Sequence, residues 1–173
     1  MTQPQSTILP KIIGLNGHAG VGKDTAADYL QNHYSSVYVH AFADPLKEAC
    51  AKMFGIDLEA FYNSAAKEQL VNPWNVTPRM IAQFVGTELV REHMWKLLKG
   101  DTDNFWIRHM EAMLAGQLSG RDERYDKDDI VIIPDVRFQN EYDWIMANNG
   151  YVIHLTRPGY EGKIGIPGHK SEA

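Results

Sequence analysis

The residues Gly17-His18-Ala19-Gly20-Val21-Gly22-Lys23 carry the spacing G-x-x-x-x-G-K. That spacing describes a loop that cradles phosphate. Its glycines let the backbone bend until successive N–H groups point at phosphate oxygens. A helix beginning at the lysine adds its positive N-terminal end. Lys23 then stands where it can neutralise charge on a transferred phosphoryl group. His18 reads as a loop filler. The position after the lysine, usually Ser or Thr, is Asp24, and Thr25 follows. A carboxylate cannot donate a hydrogen bond to phosphate and repels it. Asp24 is better suited to accept from a magnesium-bound water or a nearby backbone N–H. Thr25 can supply the hydroxyl instead. The plain alternative is a glycine turn with an exposed lysine.

A second group is Asp135-Val136-Arg137, which follows the apolar run Ile130-Val131-Ile132-Ile133-Pro134. An acid delivered by a buried strand can reach magnesium or orient an acceptor, and an arginine beside it can neutralise charge. Taken alone, D-x-R reads as a surface salt bridge. Glu141 lies one helical turn from Arg137 and is expected to hold its guanidinium. A third group is Thr77-Pro78-Arg79 with Gln83, Gly86 and Thr87. Helical periodicity puts Arg79, Gln83, Gly86 and Thr87 on one face. Arg79 in a first turn can grip phosphate, Gln83 can both donate to and accept from a base edge, and Gly86 lets a flat ring approach. A solvated helix face fits the same pattern. Trp74 and Trp106 can stack on a base or pack beneath a helix. Arg157 reads as an ATP contact or a surface arginine. The histidines show no metal-ligand spacing.

These groups need elements to hold them. Lys11 to Asn16 is a short apolar run expected as a buried parallel strand. Lys23 to about His33 has helical spacing. Val37 to Phe42 is β-branched and aromatic, a second strand. Pro45 opens a helix to about Phe54. Thr77-Pro78 caps a helix whose apolar period runs to about Leu98. Asn104 to about Leu118 is another helix. Ile130 to Ile133 and Tyr151 to Leu155 are further strands, with a helix from Phe138 to Asn149 closed by Gly150. Strands alternating with helices predict an α/β fold, a parallel sheet wrapped on both faces. Such sheets bind ligands at the carboxyl ends of their strands. The first three strands end in the glycine loop, in Phe42-Ala43-Asp44 and in Asp135-Val136-Arg137.

The chain of 173 residues is 44% hydrophobic and 23% charged, an ordinary globular balance. A polar leader to Pro10 and a charged stretch at 120–129 read as frayed or solvated chain, with a mobile lid as the alternative for the second. Its net charge of -5 argues against a broad nucleic-acid surface and leaves room for a local basic pocket. The single cysteine, Cys50, excludes an internal disulfide and reads as a buried thiol. No signal peptide or membrane-length apolar run is evident. The expectation is a cytoplasmic protein without membrane or nucleic-acid partners. Oligomeric state is open, a homodimer included.

Four motifs stand in series: Gly17 to Thr25 as G-x-x-x-x-G-K-D-T, Phe42-Ala43-Asp44-Pro45-Leu46-Lys47, Thr77-Pro78-Arg79 with Gln83 and Gly86-Thr87-Glu88, and Asp135-Val136-Arg137-Phe138 with Asn140-Glu141. The series, from about Lys11 to Pro158, resembles the deoxynucleoside monophosphate kinases of tailed bacteriophages. The resemblance implies a P-loop kinase-like fold with a mostly helical acceptor-binding insert. It implies one domain over 1–173, with a core at about 11–57 and 129–158, an acceptor region at about 58–118 and a lid or loop at 119–129. It implies transfer of the ATP γ-phosphoryl to a dNMP with Mg²⁺, in the host cytoplasm if the source is viral. ATP would be held by Gly17, Ala19, Gly20, Val21, Gly22, Lys23, Asp24, Thr25 and Arg157. Magnesium would fall to Asp24, Thr25 and Asp135, and catalysis to Lys23, Asp24, Asp135 and Arg137. The dNMP would meet Phe42, Lys47, Arg79, Gln83, Gly86, Thr87, Trp106 and Glu141. Val21 departs from the small polar residue common in related loops, and the segment Gly168 to Glu172 is followed by further structure in some relatives. Two other readings are another small-molecule kinase, similar to dephospho-coenzyme A kinase, and a non-catalytic nucleotide-binding protein.

Overall fold

The computed structural model describes residues 9–98, 103–118 and 125–160. Most of the expected leader, residues 119–124 of the charged loop and the segment 161–173 lie outside them. The chain divides into two compact units, Met1–Ala41 with Trp106–Ala173, and Phe42–Phe105.

The first unit holds the sheet. Its strands are β1 (Lys11–Asn16), β2 (Val37–Val39), β3 (Ile130–Ile133) and β4 (Tyr151–His154), all parallel, in the order β2-β3-β1-β4. Alternation along β1 sorts its side chains. Ile13 and Leu15 pack with Ala26, Ala27 and Leu30 of α1 (Lys23–His33). On the other face, a methyl group added to Gly14 would lie 2.7 Å from Ile145 of α6 (Gln139–Ala147). Helices therefore cover both faces, and the continuous run Ile130 to Ile133 is explained by burial on both sides. Val131, Ile133 and Ile145 have no exposed surface. The α/β architecture expected from the sequence is the one observed.

Three boundaries differ from expectation, each for a physical reason. β2 stops at Val39, although His40 N–H still donates to Ile132 O at 3.1 Å. Ala41 and Phe42 are apolar because they are buried, not because they pair. Gly116, at φ 63°, ends the helix Phe105–Leu114 four residues earlier than its apolar pattern suggests, with its N–H bonded to Met113 O. Gly150 is not the left-handed residue that closes α6. That conformation belongs to Asn149, at φ 56°. Gly150 is glycine because a methyl group there would lie 2.6 Å from Ile12 O and 2.9 Å from Ile145 O.

The second unit is helical. It contains α2 (Asp44–Phe54), α3 (Glu59–Tyr62) and α4 (Pro78–Gln83), and α5 (Phe105–Leu114) begins at its last residue and belongs from Trp106 onward to the first unit. α4 starts as expected. Pro78 takes the first-turn position and Thr77 caps, its hydroxyl accepting from Met80 N–H at 3.1 Å. The helix then departs from the α form. Phe84–Arg91 is π-helical, and a 3₁₀ turn, Met94–Lys96, follows. A π-helix has more residues per turn, so the 3.6-residue period used to group these residues ends at Gln83.

Candidate nucleotide-binding site

The glycine loop leaves β1 at Asn16 and enters α1 at Lys23. Gly17, Gly20 and Gly22 have φ of 141°, 79° and 110°, a region costly for other residues. Gly17 is doubly constrained, since a methyl group there would lie 2.5 Å from Leu155 O. Lys23 Nζ donates to Gly17 O at 2.6 Å and His18 O at 3.0 Å, which folds the side chain over its own loop. The Tyr160 hydroxyl donates to Ala19 O at 2.8 Å and ties down the outer side of the loop. Asp24 and Thr25 are exposed in the first turn of α1, where an acid also suits the helix dipole.

Thr25 and Arg157, separated by most of the chain, line one open pocket of about 610 Å³ with Val21, Gly22, Ala26, Tyr29 and Leu30. Its walls are mostly apolar, with Arg157 as the charged group. Arg157 also lies 6.0 Å from the centre of the Tyr160 ring, at the outer reach of a cation–π contact.

β3 is hydrogen-bonded to β1 with Gly14 opposite Ile133. The turn after β3 therefore emerges at the same carboxyl end of the sheet as the glycine loop. There Asp135 is half-buried, Val136 buried and Arg137 exposed. Glu141 is 2% exposed, and its Oε2 accepts from the backbone N–H groups of Arg137 at 2.8 Å and Phe138 at 3.1 Å. Glu141 thus caps the start of α6 through these two backbone donors. A buried carboxylate satisfied by backbone donors at a helix N-terminus is well placed for both the hydrogen bonds and the dipole.

In the second unit, Arg79 is mostly buried and its Nε donates to Glu68 Oε1 at 2.6 Å. Gln83 Oε1 is buried without a hydrogen-bond partner among the described residues. The space expected to admit a flat ring at Gly86 is taken by a side chain, because an added methyl group would lie 2.6 Å from Leu46 Cδ2. Thr87 is 7% exposed. Lys47 Nζ lies 3.6 Å from Asp44 Oδ1 and 4.0 Å from the centre of the Tyr62 ring, and the Tyr62 hydroxyl donates to Asp44 at 2.8 Å. Phe42 is buried. Trp106, of the first unit, is 8% exposed, which is the packing alternative. Trp74 is exposed on one face, with Nε1 donating to Phe54 O at 2.7 Å.

Sequence reasoning passed over Asn16, Glu68 and Tyr160. Asn16 directly precedes the first glycine, which was a usable signal. Glu68 and Tyr160 carry no local pattern, and only the fold brings them to Arg79 and Ala19. Among the described residues no cluster of three or more His, Cys, Asp or Glu is placed to hold a metal by itself, and no helix is long and apolar enough to cross a membrane.

A parallel sheet with helices on both faces and a glycine loop between β1 and α1 defines a P-loop kinase-like α/β protein. The chain is 37% identical over 150 residues to an Acanthamoeba polyphaga mimivirus protein named "Putative deoxynucleotide monophosphate kinase", covering 86% of this chain and 75% of that relative. The chain belongs to that deoxynucleotide monophosphate kinase family. No family model matches it.

Proposed function

We propose that the protein transfers the γ-phosphoryl group of ATP to a deoxynucleoside monophosphate. An oxygen of the acceptor phosphate attacks the γ-phosphorus, the bond to the β,γ-bridging oxygen breaks, and ADP leaves with a deoxynucleoside diphosphate as product. The observation that carries this reading is the shared carboxyl end of the sheet, where adjacent parallel strands lead into the Gly17–Lys23 loop and the Asp135-Val136-Arg137 turn. The relative's name supports the choice of acceptor.

The loop N–H groups and the start of α1 bind the donor phosphates. Lys23 exchanges its bonds to Gly17 and His18 for phosphate oxygens, at little cost because both states are hydrogen-bonded. The pocket between Thr25 and Arg157 takes the rest of the donor, beside Val21. Asp24, Thr25 and Asp135 offer the hard oxygens magnesium takes, alongside substrate phosphates and water. Bound there, the ion would neutralise phosphate charge. Arg137 stabilises the group in flight, since such transfer is catalysed mainly by positioning and charge. Arg79 grips the acceptor phosphate and Gln83 its base. Phe42, Lys47 and Thr87 are assigned to the acceptor as well, with Gly86, Trp106 and Glu141 acting through packing and capping. Work in a host cytoplasm, and a phage rather than another viral source, belong to the same proposal.

A coupled assay of ADP release across the four dNMPs, the NMPs and dephospho-coenzyme A tests it. Turnover stimulated by at least one dNMP is expected. A folded, magnesium-replete sample that no dNMP stimulates would sink it, and turnover with dephospho-coenzyme A alone would select the other kinase type.

A further inference from the structure

We infer that Asn16 is a positioning residue that sets the Asp135-Val136-Arg137 turn against the glycine loop. The inference rests on the phosphotransfer reading of that turn. Regular pairing of β1 with β3 ends at Gly14 opposite Ile133, so the Val136 carbonyl lies beyond the ladder. Asn16 Nδ2 donates to it at 2.9 Å, a side-chain amide standing in for the next rung. The same residue is held from its other side. Asn16 and His154 are register partners on β1 and β4, and Asn16 Oδ1 lies 2.7 Å from His154 Nδ1. Because Nδ2 is committed to a carbonyl, Oδ1 is the acceptor and His154 Nδ1 carries the proton. The Val136 carbonyl therefore fixes which way the amide faces, and the imidazole holds the other end of it.

A second contact grips the same residue. Val136 is 2% exposed, and an added methyl group on Gly14 would lie 2.8 Å from its Cγ2. Bare backbone at Gly14 receives the side chain, and Asn16 receives the carbonyl. Val136 is thus anchored to β1 twice, and Asp135 and Arg137 flank the anchor. Gly17, the first residue of the phosphate loop, follows Asn16 in the chain. One residue thereby ties together the two groups whose separation phosphoryl transfer depends on. Aspartate fits the same space and accepts from His154, but it repels the Val136 carbonyl.

The test compares wild type, Asn16→Asp and His154→Ala by steady-state kinetics with ATP and the best dNMP, and by amide hydrogen exchange over residues 134–138. For Asn16→Asp, kcat should fall about 10- to 100-fold, the scale of a slight misplacement of reacting groups. Both KM values should stay within about threefold, and exchange in the turn should rise. His154→Ala should shift both readouts the same way by less. Unchanged kcat, or a fall in kcat without faster exchange in the turn, overturns the inference. If Asn16→Asp fails to fold, His154→Ala decides by the same criteria, since its side chain is exposed. A wild type that no dNMP stimulates refutes the phosphotransfer reading instead, and the exchange comparison alone then decides whether Asn16 holds the turn.

Discussion

At the scale of single residues, the two cations proposed to meet phosphate, Lys23 and Arg79, differ in what surrounds them. Lys23 Nζ donates to two carbonyls of its own loop, Gly17 O and His18 O, and an incoming phosphate offers its charge a stronger acceptor than either. Lys23→Ala should lower kcat by about 100-fold or more, the loss typical of removing one transition-state donor. It should cost about 1 kcal/mol of stability for the lost loop bonds. A urea melt and a kcat measurement check both halves, and near-wild-type turnover refutes the role. Arg79 is instead paired with Glu68, whose side chain is 42% exposed. Such a pair contributes little to stability, but it fixes where the guanidinium points. Arg79→Ala should raise the dNMP KM about tenfold or more and leave the ATP KM nearly unchanged. Glu68→Gln should move it the same way by less. A change in the ATP KM alone would assign Arg79 to the donor.

At the scale of elements, the glycines that matter are those where backbone meets backbone. At Gly86 the neighbour is the end of a leucine side chain, which can move. At Gly150 the neighbours are two carbonyl oxygens, of β1 and α6, together with Ile145 Cγ2, and neither carbonyl can yield without shifting an element. Gly150→Ala should therefore destabilise the protein by about 2–3 kcal/mol, the upper range of overpacking. Gly86→Ala should cost about 1 kcal/mol. Denaturant midpoints at constant m-value measure the difference, and equal costs would show that the crowding at Gly150 is relieved by simple repacking. The same contrast explains what sequence could reveal. Asn149-Gly150 announces a helix end, but which residue turns left-handed depends on the crowding at Gly150. The start of α4 was legible in Thr77-Pro78. Its change to π geometry at Phe84 was not, because the same apolar pattern suits either helix until tertiary packing selects one. π segments recur at functional sites, which agrees with the roles proposed for this stretch.

At the scale of the whole molecule, the parallel sheet was readable because burial on both faces leaves continuous apolar runs, as in Ile130 to Ile133. The glycine loop was readable because its conformation demands particular residues at fixed spacing. Partners such as Asn16 with Val136, or Arg79 with Glu68, were hidden because nothing local marks them. Cys50 reports on the chain as a unit. It has no exposed surface, and burial pushes its thiol up to about 11. Below about pH 8.5, the value for an exposed thiol, folded and unfolded chains both keep the proton and the contribution to stability is complete. Above it the unfolded chain ionises first, and stability falls by about 1.4 kcal/mol per pH unit. The fall ends as pH passes the folded value near 11, where the native thiol also ionises. Cys50→Ala lacks this slope. Its stability deficit relative to wild type should therefore shrink between pH 8 and 10, measured by urea unfolding under reducing conditions. A deficit constant across that range would show that the thiol meets solvent in the folded protein. Iodoacetamide gives an independent check on the same burial, since native Cys50 should react only as fast as the structure around it opens.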